Sequence, residues 1–161
     1  MSDYVVSTII GELLSPGAIA PRVSVADKRQ ALGLVAEIAA RAYGVKVPKV
    51  RAALMVREGL SSTGIGYGVA IPHAQIPGLS HLRGVFLRLN PAIDFGSVDE
   101  EPVDLIFALL SPPGAGPESL RTMARVARAL RVPSLRQQLR QAGSADAIQA
   151  LLVRDERPSA A

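Results

Sequence analysis

The feature that most restricts the fold is a nearly unbroken apolar run over residues 103–110, Val-Asp-Leu-Ile-Phe-Ala-Leu-Leu. A strand that is apolar at almost every position must be covered on both faces, as in the middle of a sheet with helices on either side. Strands are also predicted over residues 19–23 and 84–89, and the segment 61–73 predicts a loop or an irregular strand. We therefore expect a sheet buried between two layers of helices.

Helices are predicted between and after these strands from the residues that cap them. Ser24 and Asp27 form a capping pair that opens one helix, and Gly44 ends it. Pro48 can lie in the first turn of the next helix, which Gly59 is placed to end. The remaining predicted helices cover residues 8–14, 117–131, 133–141 and 144–151.

Strands interleaved with helices predict an α/β fold, in which one β-sheet is flanked by helices on both faces. The 161 residues suffice for one core, and no linker or internal repeat divides them. Only 4% are aromatic, so aliphatic side chains must fill that core. The absence of cysteine excludes disulfides, Cys-based zinc sites and thiol catalysis. We expect a single domain over residues 1–153 and a disordered tail over residues 154–161.

The N-terminal sequence and the charge balance bear on location and partners. Met1-Ser-Asp-Tyr carries an acidic residue where a secretory signal would carry basic ones, and no apolar stretch reaches the length of a membrane-spanning helix, about 18 residues. We therefore expect a cytoplasmic protein without membrane insertion. The net charge of +4 reflects a modest arginine excess, which is typical of a solvated surface. Nucleic-acid binding is not predicted, because no reading module or interleaved aromatic residues are present.

The segment from residue 57 to residue 74 carries the pattern that indicates chemistry. Glycines at 64, 66 and 68 permit positive φ and close backbone approach, so that amide groups can point at an anion. Ser61, Ser62 and Thr63 add hydroxyl donors just before them. Neither a GxGxxG fingerprint nor a P-loop fits, which leaves a phosphate cradle without a nucleotide motif. The alternative is that the glycines form turns and the hydroxyls cap them.

His73 is the candidate nucleophile. It follows a proline and ends an apolar run that could place its ring at the edge of a sheet. A neutral imidazole has a free ring-nitrogen lone pair that can attack phosphorus. Arg57, near the end of the preceding helix, supplies a permanent planar charge for phosphoryl oxygens. The alternative is a structural histidine, and that interpretation is kept for His81, which lies in a turn without any metal-binding pattern.

The run Arg-Glu-x-Leu-x-Ser-Thr-Gly-Ile-Gly-x-Gly-Val-Ala-Ile-Pro-His, ending at His73, resembles the active-site signature of enzyme IIA of the bacterial phosphotransferase system. The similar type is the fructose/mannitol one, with its nitrogen-regulatory branch. Further similar segments in the same order cover nearly the whole chain: Leu14-Ser-Pro, Pro91-Ala-Ile-Asp-Phe, Pro102-Val-Asp-Leu-Ile-Phe and the stretch from Leu120 to Leu130. The resemblance implies a mixed sheet flanked by helices, phosphorylation at His73 and an active-site arginine at Arg57.

The sequence departs from this family pattern at two positions. Members usually carry a second active-site histidine in a Glu-His-Leu context, where this chain reads Glu-Ser119-Leu. Ser119 is therefore a fourth phosphate-binding candidate, beside Ser61, Ser62 and Thr63. The family also commonly has glycine after the phosphorylated histidine, where this chain has Ala74. Both departures bear on how well the phosphoryl group is passed on.

The resemblance implies a free-standing, nitrogen-type enzyme IIA that needs no cofactor or metal. His73 would receive phosphate from a histidine phosphocarrier protein, and the phosphorylation state would regulate other proteins by direct contact. One alternative is a link in sugar uptake that passes phosphate to a cysteine of a IIB partner. Another is a binding module that has lost transfer activity, for which Ser119 is the indication.

The helix predicted over residues 117–131 is amphipathic with a basic exterior. Its arginines, Arg121, Arg125 and Arg128, are predicted to lie opposite an apolar face made of Leu120, Met123, Ala127 and Leu130. Such a face is usually only solvated. Since it would adjoin Ser119, docking of an acidic partner is the alternative.

Overall fold

The computed structural model describes residue 10 and residues 12–155. Six strands lie among these residues: β1 (Ile19–Val23), β2 (Gly64–Gly66), β3 (Val69–Ala70), β4 (His73–Gln75), β5 (Arg83–Ile93) and β6 (Val103–Ser111). Besides a short 3-10 helix (Pro16–Ala18), the described part of the chain forms five longer helices: α1 (Lys28–Tyr43), α2 (Val47–Leu60), α3 (Gly116–Leu130), α4 (Pro133–Gln141) and α5 (Ala145–Asp155). Of the helix predicted over residues 8–14, residues 10, 12 and 13 are helical and residue 14 is not, while residues 8, 9 and 11 lie outside the described residues, as do residues 156–161 of the predicted tail.

The strands form one mixed sheet in the order β1-β5-β6-β3-β2, with β4 pairing with β6 beyond β3. β5 and β6 pair antiparallel at its centre, where Phe86 faces Phe107. β1 runs parallel to β5, and both β3 and β4 run parallel to β6. The predicted fold class is confirmed, and the apolar run identified in the sequence is the central strand β6.

Alternate residues of the central strands contribute to two separate apolar cores. One core packs Val85, Leu87, Ile106 and Ala108 against α1 and α2. The other packs Phe86, Leu105, Phe107 and Leu109 against α3, α4 and α5. Because side chains alternate between the faces of a strand, a run that is apolar at every position serves both layers of helices.

Helix boundaries follow the capping residues with a few corrections. Asp27, rather than Ser24, is the N-cap of α1, because its side chain accepts from the amide of Gln30. Gly44 ends that helix with a left-handed φ of 75°. Gly59 does not end α2, which continues through Leu60. Likewise α5 extends beyond residue 151 to Asp155, so residues 154 and 155, which were predicted to belong to the tail, are helical.

No helix among the described residues has both the length and the apolar character needed to cross a membrane.

Candidate active site

His73 is the first residue of β4, a short strand held at the edge of β6. The ladder pairs it with Leu109, and the carbonyl of Pro72 accepts from the amide of Leu109 at 2.8 Å. The helix α2 packs against this strand. The ring of His73 is therefore carried by a strand that the sheet fixes on one side and a helix on the other, as expected for a residue at a sheet edge.

The two ring nitrogens of His73 have different partners. Nδ1 lies 2.9 Å from the carbonyl oxygen of Ile71, and Nε2 lies 3.1 Å from Nε of Arg57. A carbonyl only accepts and a guanidinium only donates, so the proton belongs on Nδ1 and the lone pair on Nε2. The two contacts thus distinguish the ring nitrogens, because the lone pair of Nε2 accepts the hydrogen bond from Arg57.

Arg57 occupies the last turn of α2 and reaches His73 from there. Its Nη1 also donates to the carbonyl of Ser61 at 3.0 Å, with the Ser61 hydroxyl at 3.5 Å. The guanidinium is therefore held between the loop after α2 and the imidazole. This geometry places a fixed positive charge beside Nε2 of His73.

A groove of about 1130 Å³ opens beside His73 between α2, β4 and α3. Its walls are mostly apolar, and its lining includes Ala53, Val56, Leu60, Pro117, Leu120 and Met123. Three of these side chains are strongly exposed: Val56 at 69%, Leu60 at 78% and Leu120 at 64%. Exposed apolar residues clustered around a polar centre are typical of a protein interaction surface.

The structure corrects the predicted apolar face of α3 at one residue. The sequence placed Leu120, Met123, Ala127 and Leu130 on one apolar face. Leu130 is buried in the core, and Met123 and Ala127 pack against that core. Leu120 is instead 64% exposed and lines the groove beside His73, which Met123 also lines.

Ser119 lines the same groove as His73. Its hydroxyl lies 2.8 Å from that of Ser111, the last residue of β6. Ser119 is in the first turns of α3, where free amide groups give the helix end a partial positive charge. The groove thus combines an imidazole, a guanidinium, two hydroxyls and a helix N-terminus.

Ser62 and Thr63 have other partners in the structure. The Ser62 hydroxyl donates to the carbonyl of Phe95 at 2.7 Å, and the Thr63 hydroxyl donates to Glu58 at 2.7 Å. Glu58 also accepts from the Thr63 amide at 2.8 Å and from Lys28 at 3.0 Å. These bonds fasten the loop after α2, so both hydroxyls use their single protons to shape the loop that holds Arg57.

The glycines do not form a phosphate cradle beside His73. Gly66 and Gly68 have φ of 95° and 78° on either side of Tyr67, and together they make the turn between β2 and β3. β3 starts at Val69 opposite Leu105, four positions along β6 from the partner of His73, about 13 Å away. The turn-forming alternative is therefore correct for Gly66 and Gly68.

Several groups at the site escaped prediction because their roles depend on the three-dimensional arrangement. The carbonyl of Ile71 and the hydroxyl of Ser111 each contact a site residue through one hydrogen bond, and the carboxylate of Glu58 accepts two from Thr63. The only sequence signal was for Glu58, which follows Arg57 within the recognised motif. Nothing in the periodicity distinguishes Ser111 from an ordinary strand end.

His81 is exposed and bonds locally, with Nδ1 2.8 Å from the hydroxyl of Ser80. Within residues 10 and 12–155, no group of three or more histidine or acidic side chains could hold a metal ion. The local bond to Ser80 is consistent with the interpretation of His81 as a structural histidine.

The structure combines a mixed sheet between two helical layers with a histidine and an arginine that face an apolar groove. The family model described as "Phosphoenolpyruvate-dependent sugar phosphotransferase system, EIIA 2" matches residues 12–154. The chain belongs to this family, whose general chemistry is phosphoryl transfer.

Similar proteins come from both branches of the family. A nitrogen regulatory protein of Bradyrhizobium diazoefficiens is 45% identical over 143 residues, covering 89% of this chain and 94% of that protein. A fructose-specific EIIA component of the phosphotransferase system from Haloferax volcanii is 35% identical over 100 residues, covering 62% of this chain and 65% of that protein.

Solved structures share the fold. The nitrogen regulatory protein IIA-Ntr from Neisseria meningitidis superposes with a TM-score of 0.84 at 33% identity, covering 89% of this chain and 99% of that one. The mannitol enzyme IIA of Escherichia coli, in a complex with phosphorylated enzyme IIB, superposes with a TM-score of 0.74 at 20% identity, covering 88% and 99%. The second similarity concerns the fold alone.

Proposed function

We propose that this protein is a regulatory phosphocarrier that takes a phosphoryl group onto Nε2 of His73 from a histidine phosphocarrier protein. The observation that carries the proposal is the pair of bonds to the imidazole, from Nδ1 to Ile71 and to Nε2 from Arg57. They leave Nε2 as the nitrogen with a lone pair, on the side of the ring nearest the guanidinium.

The reaction is an in-line displacement at phosphorus. The lone pair of Nε2 forms the new nitrogen–phosphorus bond while the bond between phosphorus and the donor's imidazole breaks. The donor imidazole keeps that electron pair, and Nδ1 of His73 keeps its proton, held by the Ile71 carbonyl. The charge spreads over the three equatorial oxygens in the transition state.

Arg57 contributes both before and after this step. Its Nε holds the ring through Nε2 before transfer, and the same donor is free for a phosphoryl oxygen once Nε2 bonds to phosphorus. The bond from Nη1 to the Ser61 carbonyl keeps the guanidinium in place throughout. Ser61 is thus a phosphate-site residue that works through Arg57, while Ser119 offers its hydroxyl from the opposite wall.

The apolar groove supports docking of protein partners. Val56, Leu60 and Leu120 surround His73 with exposed apolar surface that a partner would cover. Such a seal would exclude water, which strengthens every electrostatic contact to the phosphoryl group and protects it from hydrolysis. Both the donor and the regulated proteins would use this face, so phosphorylation at its centre changes which partner binds. We place the protein in the cytoplasm, where these partners would occur.

The regulatory role is favoured over sugar uptake by the identity to the Bradyrhizobium protein and the similarity to the Neisseria IIA-Ntr structure. The second candidate, transfer to a IIB partner, is supported by the fructose-specific relative and by the mannitol enzyme, which forms such a complex. A binding module that has lost transfer activity is the third, and Ser119 in place of a histidine is its support.

The test is incubation with phosphoenolpyruvate, enzyme I and the histidine phosphocarrier protein, followed by intact mass measurement. The mass should rise by one phosphoryl group that is lost in acid and stable in base, as expected of a phosphoramidate. His73→Ala should abolish the gain, and the exposed His81→Ala variant should retain it. A gain that persists in His73→Ala, or that survives acid, contradicts the proposal.

A further inference from the structure

Ser111 is a buried hydroxyl at the end of the central strand, and the proposed mechanism does not use it. It is 2% exposed, and it lines the groove that contains His73. Its backbone is fixed by pairing with Gln75 in β4 and by the amide of Ile76, which donates to its carbonyl at 2.7 Å. Ser111 is therefore a rigid point on the same strand pair that carries His73.

Among the described residues, the hydroxyl of Ser111 has one hydrogen-bond partner, the hydroxyl of Ser119 at 2.8 Å. One of the two must donate and the other accept. A buried hydroxyl whose proton has no acceptor carries a desolvation cost that an exposed one avoids by bonding to water. Since Ser111 is buried and Ser119 is partly exposed, the favoured arrangement has Ser111 donating to Ser119.

We infer that Ser111 is a positioning residue that turns the hydroxyl proton of Ser119 into the groove, toward the phosphoryl oxygens on His73. With one lone pair of Ser119 occupied by the Ser111 proton, its own proton has the groove as its open direction. A donor that also accepts a hydrogen bond is polarised and becomes a stronger donor. This inference rests on the proposed function and adds a residue to it.

Without Ser111, the hydroxyl of Ser119 has an alternative. A serine in a helix readily donates to the carbonyl four residues earlier, which here is that of Ala115. That carbonyl already accepts from the amide of Ser119 at 2.8 Å, so it is close by. Loss of Ser111 would let Ser119 turn its proton back onto the helix and away from the phosphoryl group.

The experiment measures the rate at which phosphoramidate labels His73 in the full chain. This small donor needs no protein docking. Its phosphorus–nitrogen bond breaks as Nε2 bonds to phosphorus, and ammonia leaves with the electron pair after taking a proton. Ser119→Ala should slow labelling about tenfold, the usual effect of losing a hydrogen bond to a charged group. Ser111→Ala should slow it by a similar factor.

The distinguishing result is the double variant. Ser111→Ala with Ser119→Ala should label no more slowly than Ser119→Ala alone, because Ser111 acts through Ser119. A matched control is Ser97→Ala, which removes another buried hydroxyl, 5% exposed and outside the groove. It should label at the wild-type rate, and thermal melting of each variant shows whether the fold is intact.

Other outcomes overturn the inference. If the effects of the two alanine substitutions multiply, Ser111 acts independently of Ser119. If either single variant labels at the wild-type rate, the hydroxyl pair does not assist transfer. A wild-type protein whose His73 is labelled neither by phosphoramidate nor by the phosphorylated carrier protein contradicts the proposed function itself, which separates the two failures.

Discussion

Each ring nitrogen of His73 has its own partner, which in the proposed function assigns the chemistry at the scale of single residues. The Ile71 carbonyl would hold the proton on Nδ1, and Nε2, which faces Arg57, would be the acceptor. Sequence patterns predicted His73 and Arg57 as site residues. They could not identify the tautomer, because that depends on how a backbone carbonyl two residues earlier turns toward the ring.

Arg57 should matter for the rate of transfer more than for stability. We expect Arg57→Ala to slow phosphorylation of His73 by about 10²-fold, since a fixed donor to the developing charge is lost. Arg57→Lys should recover only part of the rate, because an ammonium lacks the planar fork of donors. Quench-flow labelling with the phosphorylated carrier measures both, with Arg51→Ala, exposed on the same helix, as the control. A well-folded Arg57→Ala protein with wild-type kinetics would exclude a chemical role.

Ser119 should set how fast the phosphoryl group leaves. Serine offers one neutral hydrogen bond, whereas a histidine at this position could become a cation that holds the phosphoryl oxygens in line. We expect Ser119→His to speed single-turnover return of phosphate to the unphosphorylated carrier. Equal rates in the wild type and the variant would show that this position does not determine the role of the protein.

At the scale of elements, the β2–β3 hairpin shows that a glycine motif alone does not determine the structure it forms. Alternating glycines are compatible with an anion cradle or with a tight turn, and the choice depends on where the turn lies relative to His73. The turn at Gly68 packs instead on an ion pair between Arg140 and Asp104, with Nε and Oδ2 2.8 Å apart. Arg140 also donates to the carbonyl of Tyr67 at 2.8 Å.

Gly68→Ala should therefore affect stability and not phosphoryl transfer. A Cβ there would lie 2.5 Å from Arg140 Nη2 and 2.9 Å from Asp104 Oδ1, on a backbone with φ of 78°. We expect the free energy of unfolding to fall by about 2 kcal/mol in urea titrations. Gly17→Ala, with no atom within 4 Å, is the control. A slower transfer rate with unchanged stability would instead support a phosphate cradle at this loop.

The helix α3 was predicted in position, and its apolar face was predicted correctly except at Leu120. Periodicity located residues 117–131, close to the observed Gly116–Leu130. It could not show that Leu120 lines the groove, whereas Met123 both lines the groove and packs against the core. Apolar residues at a docking surface follow the same helical spacing as buried ones, so the distinction needs the tertiary packing.

At the scale of the whole molecule, the groove lies at the β4 edge of the sheet, between the two helical layers. The helices α2 and α3 belong to different layers and both line this groove, and His73 lies between them. The sequence predicted the layers because β6 is apolar at nearly every position. The groove depends on where the helices of the two layers lie at the edge of the sheet, and no local sequence pattern predicts this.

The groove should act in docking and not in chemistry. We expect Leu60→Ser and Leu120→Ser each to raise the KM for the phosphorylated carrier protein about tenfold, because an exposed anchor is lost without new charge. Labelling by phosphoramidate should stay at the wild-type rate. Val98→Ser, 89% exposed and away from the groove, is the matched control. Unchanged KM values in both groove variants would place the docking surface elsewhere.

The central claim is that Nε2 of His73 accepts the phosphoryl group, and proton–nitrogen correlation NMR of the phosphorylated imidazole tests it most directly. We predict phosphorus coupling to Nε2, with Nδ1 remaining protonated and bonded to the Ile71 carbonyl. A phosphoryl group on Nδ1, or on a residue other than His73, would contradict the account.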